Sequence, residues 1–245
     1  MKDVFQELGL STLALQLPTV LETARHDQPT YDTFLQQALQ TEVQGRAQRA
    51  HDRRLRAAKL PMSKTLETFE FAFQPTLSEP LLRELGSLAF VPTATNVIFL
   101  GPPGVGKTHL ATALAGRAVQ AGHSALFTTL SQLAEGLDGH APLTSWQHRL
   151  RKYVLPKVLV IDEVGYTRLS PSQAHALFEL VTARYEHGSI LLTSNTSFAE
   201  WGSLLGNEVL ATALLDRLLH HAEVIAINGP SYRMRQRSTT RGASS

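Results

Sequence analysis

Gly101-Pro102-Pro103-Gly104-Val105-Gly106-Lys107-Thr108 is the segment of this chain richest in chemistry. It fits the pattern G-x-x-x-x-G-K-[ST], and an apolar run precedes it while a helical pattern follows, the context such a loop needs. Its glycines let successive backbone N–H groups turn inward around a phosphate without Cβ clashes, and the helix that opens at His109 presents its positive dipole end. Lys107 adds a mobile charge for β- and γ-phosphates, and Thr108 a hydroxyl for Mg2+. A second constellation closes the run Val158–Ile161, where Asp162 and Glu163 put two carboxylates at the end of a buried strand, the edge at which open α/β sheets bind ligands. Asp162 suits a Mg2+ ion held through water, and Glu163 suits orientation or deprotonation of an attacking water. A third candidate, Asn195, follows the run Ser189–Thr193; its amide there could bond both the water and a γ-phosphate oxygen, or serve an ordinary turn.

Those residues need strands to carry them. Five short apolar runs supply them, at 96–100, 124–128, 158–161, 189–193 and 222–227, separated by helical patterns. That alternation predicts an α/β domain with a five-stranded, mostly parallel sheet flanked by helices. Upstream, the periodicity predicts one helix from Val4 to Leu17 that stops near Pro18. A second starts after Thr30, with Tyr31, Phe34, Leu35, Ala38, Leu39 and Val43 as an apolar face, and continues toward Pro61 as a basic rod. Phe69, Phe71 and Phe73 alternate with other residues, which predicts a short extended segment. The prolines within 74–80 place a boundary between a small helical N-terminal domain (1–75) and the α/β domain (76–237), followed by a polar tail (238–245) expected to be disordered.

The chain has 245 residues and a formal charge of only +2, yet its charge is clustered. Seven basic residues stand against one acid between Gly45 and Lys64, including Arg53, Arg54 and Arg56. Arg149, Arg151 and Lys152 lie between the second and third strand runs, and four more arginines follow Asn228. Any one patch could be a solvated face; three together point to a polyanion, contacted mainly through phosphates because no base-reading motif is evident. Cysteine is absent, which excludes a disulfide framework, thiolate zinc sites and a cysteine nucleophile. The N-terminus lacks a signal-peptide pattern and no apolar run reaches a membrane span, so the expected setting is the cytoplasm, with no membrane partner. His220 and His221, adjacent on an expected helix, should point apart, which argues against zinc ligation.

With GPPGVGKTHLA, LVIDEVGY, LLTSN, LLDRLLHHAEV and SYRMR in view, the chain resembles the AAA+ ATPases of the initiator and helicase-loader clade. Within it the chain is similar to the IstB-like helpers of insertion-sequence transposition, a likeness that extends to FLQQALQTEV and KTLETFEF and rests on Glu200-Trp201-Gly202 and the Asp216–His221 string. The resemblance implies ATP and Mg2+ as cofactors. It assigns the cradle Gly101, Pro102, Pro103, Gly104, Val105, Gly106, Lys107, Thr108 and His109 to nucleotide, Thr108 and Asp162 to the metal, and Glu163 and Asn195 to the water and γ-phosphate. Arg217 matches the arginine that reaches a neighbouring subunit's nucleotide, and Arg233 the one that contacts nucleotide in its own subunit. Thr196 stands where the family pattern leads one to expect a basic residue. The implied function is an ATP-dependent regulator that oligomerises on duplex DNA and presents it to a transposase. The implied place of Arg149, Arg151 and Lys152 is an extra helix facing DNA. A helicase loader acting on a replicative helicase is the alternative, and a small-molecule kinase is disfavoured by Glu163 beside Asp162, which suits water as acceptor.

Overall fold

In a computed structural model, residues 2–61, 64–137 and 146–232 are described. The chain divides into two compact units, Met1–Arg53 and Arg54–Ser245. The first consists of α1 (Lys2–Glu7), α2 (Ser11–Asp27) and most of α3 (Tyr31–Ala58). The single helix expected over 4–17 is therefore two. Gly9 takes a left-handed φ of 67°, and the Gly9 and Leu10 N–H groups return to the Gln6 and Phe5 carbonyls at 3.0 and 2.7 Å, a glycine-terminated helix end. Pro18 stops nothing, because α2 carries it in its interior to Asp27.

The apolar face expected on α3 is also displaced. Tyr31, Leu35, Leu39 and Val43 are 95%, 56%, 47% and 57% exposed; of the expected face only Ala38 is buried and Phe34 half-buried, and Glu42, outside it, is buried. A Cβ on Gly45 would overlap the Thr12 side chain, so small residues rather than large apolar ones set the approach of α2 to α3. Glu42 then caps α2: its carboxylate accepts from the N–H groups of Thr12 and Leu13 at 2.8 and 2.9 Å, and from Arg46 and Arg49 at 3.1 and 2.9 Å. Burial opposes its ionisation, but the Leu13 N–H, the two guanidinium groups and the Thr12 N–H outweigh it and hold the Glu42 carboxyl at about 2.

The second unit starts inside α3, so residues 54–75 group with it by contact. Leu66, Phe69 and Leu77 are part of its core, and Phe71–Phe73 forms a 3-10 turn rather than an extended piece. Then come α4 (Glu79–Leu85), β1 (Asn96–Leu100), α5 (Lys107–Gln120), β2 (Ala125–Thr129), α6 (Leu130–Leu137), α7 (Trp146–Val154), β3 (Val158–Val164), α8 (Pro171–Arg184), β4 (Ser189–Ser194), α9 (Trp201–Leu205), α10 (Glu208–His220) and β5 (Ala222–Ala226). All five strands pair in parallel, in the order β2-β3-β4-β1-β5. Alternate strand residues divide between two cores: Val97, Phe99, Val158, Val160 and Leu191 pack with α4 and α5, and Ile98, Leu159, Ile161, Ile190 and Leu192 pack with α6, α8, α9 and α10. Burial on both faces is why β1 to β4 are written as apolar runs, while the edge strand β5 is mostly exposed. The fold class is the expected one, an α/β domain with a five-stranded parallel sheet flanked by helices, with a helical N-terminal region.

Candidate active site

The loop between β1 and α5 is wrapped as its glycines require. Gly101, Gly104 and Gly106 have φ values of 151°, 86° and 104°. A Cβ on Gly104 would strike Ser231, and one on Gly106 would strike the Phe69 ring. Lys107, 8% exposed, opens α5 and donates from Nζ to the carbonyls of Gly101 and Pro102 at 2.6 and 2.8 Å. Thr108 Oγ1 donates to Asp162 Oδ1 at 2.9 Å, which joins the loop to β3. His109 donates to the Thr65 carbonyl from Nε2 at 2.8 Å; burial and Lys64 hold its imidazole below the usual range and outweigh the opposing pull of that bond.

The Asp162-Glu163 pair sits on an irregular stretch of strand. The β3–β4 register shifts between Ile161 and Val164, and Glu163 adopts φ 64°, a bulge that re-aims successive side chains. Asp162 stays in, 4% exposed, while Glu163 is exposed. Thr193 fixes both: its Oγ1 donates to Asp162 Oδ1 at 2.5 Å and accepts from the Glu163 N–H at 3.1 Å. Thr193 is absent from the residues singled out by pattern; a hydroxyl two residues before Asn195, on the strand beside the carboxylates, is the signal that points to it. Asn195 follows β4, and its Oδ1 is buried without a hydrogen-bond partner. The next residue, Thr196, braces that turn through Ser194: Ser194 Oγ donates to the Thr196 carbonyl at 2.9 Å and accepts from its N–H at 3.1 Å.

A cavity of about 610 Å3 joins Pro103–His109 with Glu163, Thr193 and Asn195. Its far wall carries Phe69, Phe73 and Tyr232, of which the sequence pattern signals only the aromatic alternation. The Tyr232 N–H donates to the Gly104 carbonyl at 2.9 Å, and its hydroxyl to Glu70 at 2.8 Å. The chain is thus tied back to the phosphate loop at the residue before Arg233, which itself lies outside the described residues. The groups suit a nucleotide and a magnesium ion: a turn of backbone N–H groups with a lysine for phosphates, and the oxygen pair Thr108 and Asp162 for the metal; the orphaned Asn195 Oδ1 is an acceptor, suited to a water rather than to a phosphate oxygen.

Arg217 is absent from that cavity's lining. It lies half-buried on α10, its guanidinium 4.8 Å over the Phe178 ring and donating to the Ala213 carbonyl at 3.1 Å. Of the basic candidates, Arg151 and Lys152 are exposed on α7 and Arg149 is half-buried. Lys152 also lines a second cavity, of about 870 Å3, with Thr108, Asp162 and Glu163. The C-terminal carbonyls of α7, at Tyr153 and Val154, accept from buried Arg184 at 2.8 and 3.0 Å; burial lowers that guanidinium to about 10, so it stays charged. On α3, Arg53 and Arg56 are exposed and Arg54 half-buried. The arginines from 233 onward fall outside the described residues. None of the described helices is long and apolar enough to cross a membrane.

The expectation for the paired histidines is overturned. α10 ends at His220 and His221 leaves it with φ −125° and ψ 80°, so the two rings do not diverge; their centroids are 4.2 Å apart.

Residues 4–240 match the family described as IstB-like ATP binding protein. The insertion sequence IS21 ATP-binding protein of Pseudomonas aeruginosa is 45% identical over 234 residues, which cover 96% of this chain and 88% of that one. Among solved structures, DnaI aligns at a TM-score of 0.57 and 20% identity over 68% of this chain and 92% of its own. The DnaC helicase loader aligns at 0.52 and 26% over 61% and 87%.

Proposed function

The chain belongs to the family of IstB-like ATP binding proteins, and from that premise we infer that it is a Mg2+-dependent ATPase that assembles on duplex DNA and presents that DNA to the transposase of an insertion sequence. The bond from Thr108 to Asp162 beneath the glycine loop, facing Glu163 and Asn195, supports ATP hydrolysis most directly. Lys107 exchanges its loop carbonyls for the β- and γ-phosphates, a low-cost move because both sets of acceptors lie at the same turn. Thr108 and Asp162 would hold Mg2+, which would supply neutralisation of phosphate charge. Thr193 keeps the Asp162 carboxylate and the Glu163 backbone in place, and Glu163 orients a water and takes its proton. Asn195 can donate its amide N–H to the γ-phosphate, and its unpartnered Oδ1 can accept from the attacking water. Phe69, Phe73 and Tyr232 offer flat apolar surface to the adenosine end. Arg217 lies away from its own subunit's cavity, as suits a residue that completes a neighbour's site and so links ATP to assembly.

The IS21 relative's name supports the insertion-sequence role, and the α3 and α7 arginines support a polyanionic partner. Electron microscopy of the protein on duplex DNA, with and without ATP, tests the assembly. A nucleotide-dependent ring or filament is expected, and a DNA-capture assay with the element's transposase should depend on it. Capture of a replicative helicase in place of the transposase would move the reading to a loader.

A further inference from the structure

The C-terminal ends of α8 and α10 meet at a group of side chains remote from the phosphate loop. Beyond α8 the chain turns sharply, with the His187 and Gly188 N–H groups returning to the Arg184 carbonyl at 2.9 and 3.1 Å. In that turn Glu186 has φ 59°, a left-handed conformation unusual for a residue with a side chain. At the end of α10 the departure of His221 from helical geometry brings two consecutive imidazoles together. One ring nitrogen of each histidine and one carboxylate oxygen of Glu186 lie within 4.8 Å of one another, and all three residues are exposed. His221 Nε2 stands 3.5 Å from Glu186 Oε1. Tyr185 completes the group: its ring stacks on both imidazoles, with centroids 5.8 and 6.3 Å away, and its hydroxyl is bonded to His220 Nδ1.

We propose that Glu186, His220 and His221 form a binding site for a divalent transition-metal ion of the zinc type, clipping the end of α8 to the end of α10. Two imidazoles and one carboxylate are a donor set suited to zinc and poorly suited to magnesium, which prefers oxygen alone. Zinc holds nitrogen and oxygen ligands at about 2.0–2.2 Å, which puts ligand atoms roughly 3.4 Å apart. The present spread contracts to that value by side-chain rotation, which exposed residues permit. When His220 donates its Nδ1–H to the Tyr185 oxygen, the tautomer is fixed and the other ring nitrogen keeps its lone pair for the metal. Three protein ligands leave the fourth position to solvent. The same corner contains Arg217, which lines a small cavity with Tyr185, Glu186 and His221. A metal there restrains the end of the helix that carries Arg217, four residues before His221.

The test is calorimetric titration of the full-length, chelator-treated protein with ZnCl2 in the absence of nucleotide, followed by thermal unfolding with and without zinc. One equivalent should bind and raise Tm, and MgCl2 should do neither. Each of Glu186→Gln, His220→Gln and His221→Gln should weaken zinc binding by at least about ten-fold, and the double histidine variant should lose it while still binding ATP. Asp162→Asn should bind zinc as the unaltered protein does, which separates this site from the phosphate site. Cobalt absorption bands of nitrogen-ligated character in the unaltered protein provide a readout that needs no variant. The proposal is overturned if millimolar zinc does not bind, if binding survives in the double histidine variant, or if it disappears in Asp162→Asn alone.

Discussion

The two units of this chain solve the same problem with different means. The unit at Arg54–Ser245 buries strand residues on both faces of a parallel sheet, and its polar groups are held in a network in which Thr193 and Thr108 both bond Asp162. In the unit at Met1–Arg53, the buried residues among those described are Thr12, Leu13, Ala38 and Glu42, and two of those four are polar. One unit is fixed by apolar burial and can carry a site that tolerates little displacement. The other depends on a single carboxylate that serves a helix N-terminus and two arginines at once, while Tyr31, Leu35, Leu39 and Val43 on α3 are exposed. Precision of geometry therefore belongs to the sheet edge, and the helical unit is the one whose stability a change of pH or of one side chain should reach.

The contrast can be broken at its strongest point first. If Arg217 completes a neighbour's site, Arg217→Ala should lower ATP hydrolysis by about 10³ to 10⁵, and mixing it with Lys107→Ala should restore part of the rate at hybrid interfaces. Unchanged hydrolysis in Arg217→Ala would end the trans assignment. Next, Glu163→Gln should reduce turnover by about 10² to 10⁴ with ATP binding intact, whereas Lys107→Ala should lose binding itself; equal ATP affinities for the two variants would show the roles to be misassigned.

Smaller effects sharpen the other side. Glu42→Gln replaces charge-assisted hydrogen bonds and should destabilise the N-terminal unit by roughly 1.5–3 kcal/mol, read by hydrogen exchange in α2, with the β strands unaffected. The same carboxylate gives a pH signature. Its folded value near 2 lies below the ordinary 4.5, so its contribution is complete above about 4.5 and is lost as pH falls toward 2. Protection in α2 should decline over that window, and Glu42→Gln should remove the dependence. Last, replacing Arg149, Arg151 and Lys152 by alanine should flatten the plot of log DNA affinity against log salt by about 0.9 for each phosphate that is no longer neutralised, with ATP binding unchanged. A wild-type slope in the triple variant would make α7 a solvated face.

The phosphate loop is legible in the sequence because its function is local: eight contiguous residues make the turn, and strand and helix patterns flank it. Strands β1 to β4 are legible for a related reason, since burial on both faces leaves short apolar runs, whereas the edge strand β5 is mostly exposed. Pro18, by contrast, suggests a helix end by its type alone, although Gly9 ends the helix and α2 runs on through the proline. The buried face of α3 keeps only Ala38 and half-buried Phe34 of the expected one because chain periodicity cannot say which stripe meets a neighbour; the close approach at Gly45 adds Glu42 and leaves Leu35, Leu39 and Val43 exposed. Only the tertiary structure decided that Thr193 bridges Asp162 and Glu163 across a strand bulge, that Tyr232 returns to Gly104, and that His221 leaves the helix so that its ring meets His220. Each of these depends on where a chain stops or bends relative to a distant segment. Sequence determines the local turn and the buried run by sterics and hydrophobic pattern, whereas close packing between remote elements determines which polar atoms meet.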